Sequence, residues 1–136
     1  MEQSTINKLQ KALLIIVAIG LIPIALSYGL IPDKSMSYLY EITDLQLNQI
    51  HIFRAIMCLY LALIVFWLIG AFNINLRQAA LYSLVVFMFG LAAGRIISLF
   101  VDGIPNWLLL VYLLLELGFG AIGYVLIKKS ASREAR

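Results

Sequence analysis

Charge is scarce in this chain: Asp, Glu, Lys and Arg make up only 12% of its 136 residues, against about 25% in a soluble domain. Too few charged groups remain to solvate a globular surface of that size. Cysteine occurs once, at Cys58, which excludes an intrachain disulfide and a thiolate metal cage. Histidine also occurs once, at His51, so paired-histidine metal motifs are excluded too. The glycines form neither a phosphate loop nor a dinucleotide fingerprint. Ser98 or Ser27 with His51 would be the only material for a catalytic triad, and no spacing supports one. Soluble-enzyme chemistry and metal or organic cofactors are therefore not expected.

Apolar residues fill the space: 63% of the chain is hydrophobic and its mean hydropathy is +0.99. They gather in four stretches, about residues 12–31, 50–73, 79–101 and 107–127. Each approaches the ~20 helical residues that cross ~30 Å of hydrocarbon. The expected fold is all-α, a single domain over 1–136, forming an integral membrane four-helix bundle. Lys8, Lys11 and the small residues Ala25-Leu26-Ser27 have the outline of a secretory signal. The apolar run continues through Tyr28 to Ile31, however, so an uncleaved first span is predicted.

The formal net charge of +3 comes from basic residues that flank the spans, which marks topology rather than nucleic-acid binding. Lys8, Lys11, Arg77, Lys128, Lys129, Arg133 and Arg136 lie in connections that alternate along the chain with those carrying Asp33, Lys34, Glu41, Asp44 and Asp102. The positive-inside rule then gives a multi-pass protein of the cytoplasmic (inner) membrane with both termini in the cytoplasm.

The connections carry weaker signals. Pro32 should stop the first helix. The segment Pro32–Asn48 suits an extended piece or an interfacial helix equally well. Thr43-Asp44-Leu45-Gln46 has the form of a capping box, placing the second helix start near Asp44. Asn75 is the expected cap of the third. Asp102–Asn106 should be a tight turn that makes spans three and four antiparallel neighbours. Ser130–Arg136 is polar and expected to fray. Gly90 and Gly94 form a G-x-x-x-G pattern, a signal of helix contact. Gly118, Gly120 and Gly123 admit close packing, or room for a ligand beneath Glu116.

The informative residues are the ionisable ones inside the apolar stretches. Each costs a few kcal/mol or more unless it faces protein, a partner or water. Arg95, Ser98 and Asp102 are spaced to share one helical face. So do Tyr112, Glu116, Gly120 and Gly123, and so do His51, Arg54, Cys58 and Leu61. From the helix rise, Arg54 lies ~7 Å deep, Arg95 ~9 Å and Glu116 ~15 Å. These groups can converge in the outer half of the bundle, while the inner half is almost wholly apolar. Such a distribution argues against a channel.

Two readings stay open at this level. Arg95–Glu116 and Arg54–Asp102 pairs would neutralise the interior and fix helix register. Alternatively, Arg54 and Arg95 hold an anionic or carbonyl oxygen of a small lipophilic molecule. Glu116 is then the acid/base candidate, and Ser98, Asp102, His51 and Tyr112 complete the ligand set. Besides the bilayer, the partners consistent with small size and glycine-bearing faces are a second copy or a larger membrane complex. An accessory subunit and an oligomeric transporter are the alternatives to a binding protein or membrane enzyme.

The stretches His51-Ile-Phe-Arg54, Tyr60-Leu61, Gly94-Arg95-Ile-Ile-Ser98, Asp102-Gly103-Ile-Pro105 and Glu116 resemble an uncharacterised bacterial family. Its members are small four-helix, DoxX-like membrane proteins bearing a domain-of-unknown-function label. The resemblance runs from about Pro32 to Ile127. It implies that Arg54, Arg95, Ser98, Asp102 and Glu116 belong together, and it supplies no activity. Cys58 departs from the small residue expected there.

Overall fold

The computed structural model describes residues 3–134. It contains five helices: α1 Gln3–Gly29, α2 Pro32–Tyr40, α3 Leu47–Phe72, α4 Ile74–Val101 and α5 Trp107–Glu134. Four of them, all but α2, are long and apolar enough to cross a membrane. Their outward surface is greasy: Val86 is 71% exposed and Leu114 70%. An apolar exterior around buried ionisable groups is the arrangement expected of a protein dissolved in lipid.

The long helices pack in the cyclic order α1, α3, α4, α5. The best-buried side chains concentrate at one end. Leu14 and Ala18 of α1, Trp67 and Ala71 of α3, and Leu81 and Leu84 of α4 are fully enclosed there. This is the end that holds the α3–α4 connection and the last turns of α5. Trp67 donates its indole N–H to the Ser83 hydroxyl at 3.0 Å, fixing α3 against α4 without leaving a buried donor unpaired.

Arg77 has a structural place beyond marking topology. Its Nε donates to the Gly70 carbonyl at 3.3 Å and a terminal nitrogen donates to the Ala71 carbonyl at 2.8 Å. A cation here satisfies carbonyls left over at the end of α3 and opposes the negative end of its dipole.

Several boundaries differ from those predicted. α1 ends at Gly29, and Pro32 occupies the first turn of α2, where its missing N–H costs nothing. The undecided connection is thus a nine-residue helix that buries Met36 and Tyr40. The second span caps three residues later than Thr43 suggests. Gln46 is the cap of α3, and its backbone N–H donates to the Gln49 side chain at 2.8 Å. Thr43 lies outside because Asp44 takes positive φ (57°), a turn conformation incompatible with a first helical turn. Asn73, not Asn75, caps α4, accepting from the Asn75 N–H at 3.0 Å. The expected fraying after Ser130 does not begin there, since α5 continues to Glu134; residues 135–136 lie outside the described residues. Asp102–Asn106 turns as expected, with Gly103 at φ 104°.

Candidate functional site

The half of the bundle near α2 and the α4–α5 turn is where the predicted site residues fall, and the structure sorts them into three groups. Arg95 and Glu116 meet directly. The Arg95 Nε–H is shared between both carboxylate oxygens, each at 2.9 Å. The pair is enclosed unequally, with side-chain exposures of 21% for Arg95 and 8% for Glu116. Tyr112 lies beneath the guanidinium, its ring centroid 5.6 Å away, a cation–π distance. Helix α4 supplies the cation and α5 the anion, so the pair locks these neighbours in register.

Ser98 and Asp102 form the second group. Both are exposed and, with Arg95, line a cleft of about 670 Å³. Its walls are α3 at Ile56 and Tyr60, α4 from Phe87 to Leu99 and the turn from Asp102, and its floor includes Leu110 and Leu113 of α5. The helical spacing read from the sequence thus places Arg95, Ser98 and Asp102 on one cleft wall. Asp102 sits at the mouth beside Gly103 and Pro105, about 10 Å along α4 from Arg95 by the helix rise.

His51 and Arg54 form the third group and stand apart. Both are exposed and line neither this cleft nor the one described next. The Arg54–Asp102 pair does not form. The backbone of Arg54 is instead where α1 crosses α3: a side chain at Gly29 would meet the Arg54 Cα at 2.9 Å. That close approach fixes α3 so that the Arg54 side chain points outward.

A second cleft of about 270 Å³ lies between α1 and α5. Arg95, Tyr60 and Leu91 border both clefts, whereas Glu116 and Tyr112 border only this one. The ion pair therefore divides two openings, its guanidinium reaching both and its carboxylate turned toward α1.

Above the pair lies a run of aromatic rings that sequence reasoning missed. Tyr28 stacks on Tyr40 with centroids 5.8 Å apart and meets Tyr60 edge-on at 5.6 Å. The Tyr40 hydroxyl is 3.1 Å from that of Ser27 and 3.4 Å from that of Tyr112. Helix α2 is thereby tied over the end of the bundle that holds the α4–α5 turn. These contacts join residues far apart in the chain, and periodicity carries no signal for them. Burial pushes the Tyr40 phenol up to about 12, so it stays neutral at physiological pH. Its folded value is raised, so its contribution to stability is complete below the ordinary value of 10.0 and is lost as the pH rises through about 12. Tyr40→Phe should lose less stability across that alkaline window than the wild type. Parallel unfolding curves at each pH would contradict the assignment.

The glycines divide as cleanly. A side chain at Gly120 would meet the Phe89 ring at 2.7 Å, and one at Gly123 would meet Val85 at 2.8 Å, so both serve the α4–α5 contact. Gly118 meets nothing within 4 Å. Gly90 and Gly94 also meet nothing within 4 Å, and they line the larger cleft. The G-x-x-x-G pattern is thus a bare cleft wall within this chain, not a contact between its helices. The adjacency of Gly94 to Arg95 was the available clue.

No curated protein and no solved structure matches the chain. A family model does match, over residues 9–127, described as a domain of unknown function (DUF4345). The matched region begins in α1 rather than near Pro32, and it takes in both clefts and the Arg95–Glu116 pair. The chain belongs to the DUF4345 family.

Proposed function

We propose that this membrane protein holds a carbonyl-bearing lipophile in the α3/α4 cleft, with Arg95 as the hydrogen-bond donor. One observation carries the reading: Arg95 satisfies Glu116 through a single N–H and still borders a cleft of about 670 Å³. A guanidinium has five N–H donors, and no second carboxylate reaches its terminal nitrogens among the described residues. The charge balance selects the ligand. Arg95 and Glu116 already cancel, and Asp102 stands at the mouth, so an anion would add uncompensated negative charge in a medium of low dielectric. A neutral acceptor such as a ketone, ester or amide carbonyl carries no such cost.

Glu116 then has the role of a positioning residue. It fixes the guanidinium plane from behind and borders the other cleft. Ser98 and Asp102 lie on the route from the outer surface, and the glycine wall admits a flat group or a chain. His51 and Arg54 have no part in this reading. The charge distribution supports an arrangement with both termini in the cytoplasm. Lys8, Lys11, Arg77, Lys128 and Lys129 fall toward one end of the four long helices, and Asp33, Glu41, Asp44 and Asp102, with Lys34 among them, toward the other. The cleft mouth then faces away from the cytoplasm.

Native mass spectrometry after gentle extraction tests the proposal. The wild type should retain a reproducible small molecule containing a carbonyl, and Gly94→Phe should lose it. Gly94 has open space around it, so the variant fills the cleft without forcing helices apart. Retention of the same mass by Gly94→Phe, or a Gly94→Phe-sensitive molecule that lacks a carbonyl, would overturn the reading.

A further inference from the structure

The α1/α5 cleft presents the opposite chemistry to its counterpart, and we infer that it is a second lipid site, one that takes a neutral lipid alcohol with its hydroxyl donating to Glu116. The inference stands on Glu116 and the α1/α5 walls and does not require the first cleft to be occupied. Both Glu116 oxygens accept from the same Arg95 N–H, and no other donor reaches them among the described residues. A carboxylate offers about four lone-pair sites, so acceptor capacity remains. Of the two clefts, Glu116 borders this one alone.

The surroundings restrict what can use that capacity. A cationic head would lie beside Arg95 and be repelled by it; an anionic head would be repelled by Glu116 itself. A neutral O–H donor meets neither objection and gains a charge-assisted hydrogen bond at a site shielded from water. Apart from the rings of Tyr60 and Tyr112, the remaining walls are apolar, with Ile16 and Ile24 on α1 and Leu115 and Phe119 on α5. Between the two isoleucines lies Gly20, where an added side chain would meet nothing within 4 Å, so the wall is open there toward the bilayer. At about 270 Å³ the cleft is small for a whole lipid. It suffices for the hydroxyl end, with the chain running out past Gly20 between α1 and α5. The two sides of one ion pair thus serve two kinds of oxygen, an acceptor on the guanidinium side and a donor on the carboxylate side.

Photoaffinity labelling of the full chain in nanodiscs tests this directly. The probe is a long-chain alcohol with a diazirine next to the hydroxyl, and the control is its methyl ether. The alcohol should label residues of α1 around Gly20 and of α5 around Leu115, and the ether should label them roughly tenfold less, the loss expected for one hydrogen bond to a charged group. Gly20→Phe should abolish this labelling, and Gly94→Phe, which blocks only the larger cleft, should leave it intact. Equal labelling by alcohol and ether would overturn the assignment. So would labelling that persists in Gly20→Phe, falls only on α3 and α4, or is absent. Gly94→Phe also separates the two sites: its retained mass reports on the first cleft and its labelling on the second.

Discussion

Replacing Glu116 by leucine should destabilise the protein by about 3–5 kcal/mol, and adding Arg95→Met should restore most of the loss. The asymmetry follows from the geometry. Glu116 is buried on α5 and accepts from the Arg95 Nε–H at 2.9 Å. Removing the carboxylate leaves a cation that stays charged at any accessible pH, inside a lipid-surrounded bundle. Removing both charges leaves two apolar side chains at the α4–α5 contact, where a hydrophobic pair of similar volume commonly does as well as the ion pair. Glu116→Leu, Arg95→Met and the double variant, melted in one detergent, give the coupling energy. A double variant whose loss equals the sum of the single losses would show that the two side chains do not act as a pair.

Gly70→Leu should be the most damaging substitution at a glycine, because it attacks the α3–α4 hairpin at its tightest point. An added side chain there runs into the Ala80 methyl, and the Leu76 carbonyl and Arg77 Cα follow at 3.4 and 3.6 Å. Ala80 is completely buried, so it has nowhere to move. Overpacking of this kind costs about 1–3 kcal/mol. Moving α4 away from α3 also breaks the Arg77 bonds to the Gly70 and Ala71 carbonyls, each worth about 1.5–3 kcal/mol. Gly118→Leu is the control: its site is exposed and open, so stability should stay within about 0.5 kcal/mol of the wild type. Equal melting temperatures for the two variants would refute the packing argument.

How far the sequence alone reached can be judged residue by residue. The long helices were legible because a run of about twenty apolar residues is a local property. The common face of Arg95, Ser98 and Asp102 was legible for the same reason, since residues three and seven apart on one helix must lie together. Helix α2 was not, because its nine residues satisfy two periodicities at once. The capping of α3 was misplaced because the Thr43–Gln46 pattern is local, whereas the turn at Asp44 depends on how α2 docks.

Contacts between helices were harder still. Of the two ion pairs expected, Arg95–Glu116 forms and Arg54–Asp102 does not, and the packing order of the helices decides which. The same applies to Arg54, whose exposure follows from the Gly29 crossing rather than from its own depth. Gly90 and Gly94 carry a motif that means helix contact in many bundles and here borders a cleft. Whether a small-residue face meets a helix or an opening is decided by the neighbours, and these are invisible in one helix's sequence.

The neutral double variant Arg95→Met/Glu116→Leu also provides the most direct test of whether the ion pair holds a ligand or only staples two helices. Its small-molecule content should be compared with that of the wild type by native mass spectrometry from the same membranes. The expected result is a folded protein of near wild-type stability that has lost the carbonyl-bearing molecule. A double variant that still carries that molecule at the same stoichiometry would contradict it and leave the pair a purely structural role.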